Sequence, residues 1–157
     1  SVGEGGDISV GYDNWRKALE HVEDTGMRVL VENTAGGKNS VARYMDSIER
    51  LWEVIGHLNV GLCLDTCHTW AGGIPTIDAV KGFKKLVKKI DLIHFNDSKD
   101  GFESSRDRHE NLGKGKIPKE ELEYVIKNAK TDIIVETPNG PDAQKKDIAW
   151  IRRRLKK

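Results

Sequence analysis

Val60-Gly61-Leu62-Cys63-Leu64-Asp65-Thr66-Cys67-His68 is an apolar run that stops at a carboxylate, with an imidazole three residues on. Aliphatic and β-branched residues without alternation read as a strand buried on both faces, the kind found in parallel sheets covered by helices. Asp65 then stands at the C-terminal tip of that strand. It either caps the helix that follows or shares a site with His68, for metal binding or acid–base chemistry. This stretch alone leaves both readings open.

The same strand-and-helix rhythm recurs on either side. Upstream, Ser1 to Gly11 has no period and reads as a Gly-rich loop; from Asp13, Trp15, Ala18, Leu19 and Val22 mark one helix face that stops at Gly26. Arg28 to Val31 is a short strand ending at Glu32, and Asn33 to Ser40 is a polar loop containing Gly36-Gly37. Val41, Tyr44, Met45, Ile48, Leu51, Trp52 and Ile55 then form a single stripe, whose aromatic and Met residues read as core. Downstream, Ile77, Val80, Phe83, Val87 and Ile90 mark a helix with a solvated outer face of Lys81, Lys84, Lys85, Lys88 and Lys89. Leu92-Ile93-His94-Phe95 is a strand, and a loop of about twenty residues follows, long for a mere connection. Pro118 opens a helix carrying Leu122, Val125, Ile126 and Ala129, and Ile133-Ile134-Val135 is a strand ending at Glu136. Pro141 opens the last helix, with Ile148, Ile151 and Leu155 inward and Arg152, Arg153, Arg154, Lys156 and Lys157 at its C-terminus, where cations suit the helix dipole.

The expected architecture is α/β: one helix, then four strand–helix units with strands near 28–32, 60–65, 91–95 and 132–136, forming a parallel sheet in a single domain over 1–157. All four strands carry an acidic or histidine residue at or near the C-terminal end: Glu32, Asp65, His94 and Glu136. In parallel α/β folds that is the rim where ligands bind. Carboxylates packed together repel, and a divalent cation between them relieves the repulsion. The mixture of Asp, Glu and His suits zinc, manganese or iron better than calcium. The long loop adds Asp107-Arg108-His109, whose carboxylate and imidazole point the same way in extended chain, and with His68 they make a second ligand set. His21 and His57 fall on helices away from the rim.

Composition narrows the remaining classes. The charge is high but balanced, 26 basic against 25 acidic residues, so any site for a polyanion must be local. The spacing of Cys63 and Cys67, the only two cysteines, fits neither a disulfide framework nor a Cys-rich zinc module, which points to reduced packing residues in a cytoplasmic protein. No apolar segment approaches the roughly 18 residues needed to span a bilayer, and no membrane role is expected.

The segments Val31-Glu32-Asn33-Thr34-Ala35-Gly36, Leu64-Asp65-Thr66-Cys67-His68, His94-Phe95-Asn96-Asp97-Ser98-Lys99, Asp107-Arg108-His109 with Leu112-Gly113, and Val135-Glu136-Thr137 carry a family resemblance. In order and spacing they resemble endonuclease IV, the metal-dependent apurinic/apyrimidinic endonuclease family of base excision repair. The resemblance runs from about Gly3 to Ile151 and implies parallel (β/α) units of a TIM-type barrel with as many as three zinc ions at its rim. It implies that Glu32 bridges two metals, that Asp65, His94 and Glu136 complete the shell of one, and that His68, Asp107 and His109 hold the third. Glu32 and Glu136 are then the catalytic carboxylates. The implied partner is double-stranded DNA with an abasic site, cleaved on its 5′ side to leave a 3′-hydroxyl. Arg108, between two ligands, is a candidate phosphate contact or a structural ion pair.

The chain departs from the family in one large respect. Members supply two further histidines from earlier barrel strands, and Ser1-Val2-Gly3-Glu4-Gly5 resembles the Gly-rich segment after the second of them. The four strands therefore resemble the last four of eight, the C-terminal half of a barrel of about 250 residues. About two zinc ions are expected here, with a homodimer or a separately supplied N-terminal half covering the open sheet. A smaller departure is Lys114 and Pro118, where many members carry Glu and Gly. Two other readings stand beside this one: a metal-dependent sugar isomerase or epimerase, which has no evident use for the Asp107-Arg108-His109 site, and a non-catalytic half-barrel module.

Overall fold

The computed structural model describes residues 7–156. The core of the fold is a four-stranded parallel sheet in the order β1 (Val29–Glu32), β2 (Val60–Asp65), β3 (Leu92–His94), β6 (Asp132–Ile134). Its register pairs Glu32 with Cys63, Asp65 with His94, and His94 with Ile134. Because side chains alternate across a strand, this register puts Glu32, Asp65 and His94 on one face at one end. Every residue of β2 is buried, as a central strand with no alternation requires.

Helices cover the other face. Leu62, Leu64 and Ile93 from the strands meet Leu51 and Ile55 of α2 (Met45–Ile55), Phe83 of α4 (Thr76–Leu86), and Leu122 and Val125 of α5 (Lys119–Ala129), all essentially solvent-free. Phe83 is fully buried in this layer. Phe83→Ala is expected to lower the unfolding free energy by about 3–5 kcal/mol, through lost burial and the cavity left behind; urea denaturation measures it as a lower midpoint at unchanged slope.

Several boundaries differ from the sequence expectations, each for a local reason. Ser1–Gly6 of the expected N-terminal loop lie outside the described residues, but Ile8–Gly11 are helical: α1 (Ile8–Glu23) starts early because the Asp7 carboxylate accepts the Ser9 N–H at 2.9 Å. Tyr12 and Leu19 face α2, with Tyr12 Oη donating to Ser47 O at 3.1 Å. Val41 and Ala42, expected in α2, are buried in the preceding turn, where Ala42 O accepts the Thr34 N–H. They keep the apolar stripe going without being helical. A short helix, α3 (Thr66–Gly72), starts directly from β2, as the capping reading of Asp65 requires, and stops at Gly73, whose φ of +95° favours glycine.

The long connection after β3 is not a free loop. It contains an antiparallel pair, β4 (Asp97–Ser98) with β5 (His109–Glu110), and the buried Asp97 carboxylate accepts the N–H groups of Gly113, Gly115 and Ile117 at 3.0–3.1 Å. On α6 (Gly140–Leu155), Ile151 is buried as expected, but Ile148 and Leu155 are 39% and 58% exposed. They flank a groove of about 580 Å³ along β6, because no further strand is paired on that side of the sheet among the described residues. The described helices include none long and apolar enough to cross a membrane.

Candidate metal centre

Seven ligand-type side chains gather at the C-terminal ends of the strands. Glu32 ends β1 and Asp65 ends β2; His94 ends β3, and Glu136 lies two residues beyond β6. One atom from each of these four lies within 4.8 Å of the others, and the same holds for His68, Asp107 and His109. The two sets are those the sequence pairs on grounds of strand ends and spacing. His21 and His57 are exposed and take no part.

In the first set, His94 Nδ1 stands 2.9 Å from Glu32 Oε1 and 3.3 Å from Glu136 Oε2. Asp65 has no solvent exposure. Its two oxygens are placed differently: Oδ1 accepts the His68 N–H at 2.9 Å and so caps α3, while Oδ2 faces the rim. Burial, above all, pushes the Asp65 carboxyl up from its ordinary value, against the pull of His68 and His109.

In the second set, His68 Nδ1 is 2.8 Å from Asn33 O and His109 Nδ1 is 3.0 Å from Glu136 O. A carbonyl can only accept, so both Nδ1 atoms carry the proton and each Nε2 is left to face the site. Both Nε2 atoms are buried without a hydrogen-bond partner, and both stand 3.1 Å from the same oxygen, Asp107 Oδ1. Two imidazole lone pairs and a carboxylate oxygen converging in this way repel unless a cation sits between them. His68 also stands among carboxylates that act on its pKa. Burial, the largest influence, lowers it, yet Asp65, Asp107, the bond to Asn33 and Glu32 together raise it above the ordinary histidine value.

The donor set fits a divalent ion of the zinc type: imidazole Nε2 fixed by a backbone carbonyl behind it, with carboxylates completing the shell. Cys63 and Cys67 lie against the two clusters but are pushed up to about 12, first by burial, and stay protonated thiols at neutral pH. Arg108 is 55% exposed and forks onto Asp100, with Nε 2.7 Å from Oδ2 and Nη2 2.5 Å from Oδ1. The ion-pair reading of Arg108 is thus what the structure contains.

Two residues that matter here had no role assigned from sequence. Asn33 accepts the Asp65 N–H at 2.8 Å and donates to Asp65 O, while Asn96 donates to Asp65 Oδ2 at 3.0 Å and accepts the Glu136 N–H at 2.8 Å. Both are at most 2% exposed. They tie neighbouring strand ends together just where the backbone ladder stops. The available signal was an Asn one or two residues after each of Glu32 and His94. A crevice of about 380 Å³, lined by Thr34 to Gly37, Ser105, His68 and Asp107, opens beside the second set.

A family profile described as xylose isomerase-like TIM barrel matches residues 5–154. The chain is 48% identical over 153 residues to a probable endonuclease 4 of Mycobacterium bovis and 46% identical to that of Mycobacterium leprae, covering 98% of this chain and 60% of each relative. It therefore spans about 60% of the length of these relatives. Among solved structures, endonuclease IV from Thermus thermophilus superposes with a TM-score of 0.76 at 28% identity, covering 96% of this chain and 58% of that one. A D-tagatose 3-epimerase-like protein superposes with a TM-score of 0.68 at 18% identity, a likeness of fold. With four parallel β/α units, a rim of carboxylate and imidazole side chains and these relatives, the chain belongs to the xylose isomerase-like TIM barrels and, among them, to the endonuclease IV family.

Proposed function

We propose that this chain carries the rim of a zinc-dependent endonuclease that hydrolyses the DNA phosphodiester 5′ to an abasic site, a base-excision-repair activity of the cytoplasm. The observation that carries the reading is the pair of buried Nε2 atoms of His68 and His109, without a hydrogen-bond partner and both 3.1 Å from Asp107 Oδ1. A sugar isomerase or epimerase of the same fold needs one carboxylate-rich site at the strand ends, which Glu32, Asp65, His94 and Glu136 would provide. The second set next to it favours phosphodiester chemistry, where charge on an attacked phosphate and a leaving oxygen is neutralised from more than one side.

When bound, the metals supply Lewis-acid stabilisation and lower the pKa of water at the site. The protein's own part is to hold the geometry. Asn33 and Glu136 carbonyls fix which nitrogen His68 and His109 offer, and Asn96 links Asp65 to Glu136. Glu32 and Glu136 flank His94 and are the more exposed carboxylates of their set, able to meet substrate. Arg108 lies on the hairpin between two ligands and would meet a phosphate by sharing or leaving Asp100. Selectivity for abasic DNA follows from extrusion of the nucleotide, which costs least where no base is stacked.

The test, run on the chain supplied with the remaining part of an endonuclease 4 relative as a second polypeptide, is incision of a duplex carrying one abasic site against an undamaged duplex and a panel of ketoses and aldoses. A single nick 5′ to the lesion with a 3′-hydroxyl end supports the reading, and sugar interconversion without nicking replaces it with the isomerase reading. Edge exposure gives a further expectation. The described strands β1 and β6 each pair on one side only, and Leu30 and Ile134 on them are 36% and 48% exposed. The isolated chain is expected to self-associate, most simply as a two-fold dimer; sedimentation showing a monomer at tens of micromolar would contradict this.

A further inference from the structure

One buried carboxylate outside both ligand sets collects its hydrogen bonds from ligand-bearing segments. Asp147, on α6, is 3% exposed. Its Oδ2 accepts Asn111 Nδ2 at 2.8 Å and Thr137 Oγ1 at 2.6 Å, and its Oδ1 accepts the Leu112 N–H at 2.9 Å. Asn111 and Leu112 come two and three residues after His109, and Thr137 directly follows Glu136. A single carboxylate thus grips the segment carrying a ligand of the second set and the segment carrying a ligand of the first.

The bonds around it run between the same two segments. Asn111 Nδ2 also donates to Pro138 O at 3.0 Å, Asn139 Nδ2 donates to Asn111 Oδ1 at 2.7 Å, and His109 Nδ1 donates to Glu136 O. A carboxylate buried among neutral donors is costly to hold in a fold. It is worth holding where one acceptor group must bind several donors in fixed directions, which a carboxylate does and an amide cannot. The ring closed by His109, Glu136, Thr137, Asp147 and Asn111 leaves neither ligand segment free to shift without the other.

We propose that Asp147 is a positioning residue that sets His109 and Glu136 relative to each other, so that the two metal sets are built as one unit. This rests on the metal reading above. Its test is a titration of the 157-residue chain with cobalt(II), whose visible absorption reports ligand number and geometry, in competition with a chelator of known affinity. His68→Ala assigns the two steps by removing one. Asp147→Asn keeps the shape but turns an acceptor oxygen into a donor that faces another donor. It is expected to weaken both steps about 10- to 100-fold and to shift the absorption band.

Thr137→Val removes a single bond to Asp147 on the Glu136 side and is expected to weaken both steps, by less than Asp147→Asn does. Leu122→Ala, a fully buried core truncation on α5, is the control for general loss of stability and is expected to leave both constants unchanged. Wild-type affinity and an unshifted band in Asp147→Asn overturn the proposal. So does an equal loss of affinity in Leu122→Ala, which would reduce Asp147 to a stabilising residue. A wild-type chain that takes up no cobalt overturns the metal reading itself, and this inference with it, before any variant is compared.

Discussion

Stripped with a chelator, dialysed and reloaded, the chain is expected to take up about two zinc ions, one through His68, Asp107 and His109 and one through Glu32, Asp65, His94 and Glu136. The driving force is visible without the ions. Four carboxylates and three imidazoles share one rim, Asp65 is fully buried, and two ring nitrogens face the same Asp107 oxygen with no hydrogen between them that makes a bond. A ligand that binds only the folded state stabilises it by about 2.7 kcal/mol at a hundred times its dissociation constant, so zinc is expected to raise the melting temperature measurably. Asp107→Ala is expected to remove one equivalent by elemental analysis and most of that stabilisation. An intact fold with no stoichiometric metal would sink the site assignment.

The second large effect concerns Glu136. Its carboxylate reaches His94 Nδ1 at 3.3 Å, its carbonyl fixes the tautomer of His109, and its N–H is held by Asn96. Glu136→Gln preserves the two backbone contacts and removes only the charge. Incision of abasic DNA by the 157-residue chain alone is expected to be slow or absent, because it spans about 60% of its relatives and the family resemblance assigns two more histidine ligands to earlier strands. Supplied with the remaining part of such a relative as a second polypeptide, incision is expected to rise by at least about a hundredfold. In that reconstituted pair Glu136→Gln is expected to lower it again by about a hundredfold or more, since metal and ligand charge supply several kcal/mol to a phosphoryl transition state. The readout is single-turnover cleavage of a labelled duplex. Full activity from the monomeric chain alone would show that the rim described here suffices without those strands.

Self-association, which the exposed edges Leu30 and Ile134 favour, bears on both experiments. A dimer of identical chains would bring two copies of this rim together without adding the ligands of earlier strands. Metal stoichiometry is therefore best expressed per chain at a concentration where sedimentation has fixed the state.

The sequence by itself determined the alternation of strands and helices and the seven rim residues. The reason is that both are written in local patterns: an uninterrupted apolar run such as Val60 to Leu64 marks a strand covered on both faces, and the polar residue that stops it, Asp65, marks the strand's end. The helix bounds were less legible, because Val41 and Ala42 are as apolar in a buried turn as they would be in α2, and hydropathy reports burial, not backbone angles. What only the tertiary structure decided was everything that depends on partners distant in sequence. Asp65 turned out to be both cap and rim carboxylate because one oxygen serves each role. The fork of Arg108 on Asp100, the ties made by Asn33 and Asn96, and the grip of Asp147 on Asn111 and Thr137 together come from packing that brings loops to one end of the sheet. A single Asp or Asn in a sequence carries no mark of which backbone groups will be left unpaired beside it; that is set by where the strand ladder stops, and the stopping points exist only once the four strands are aligned.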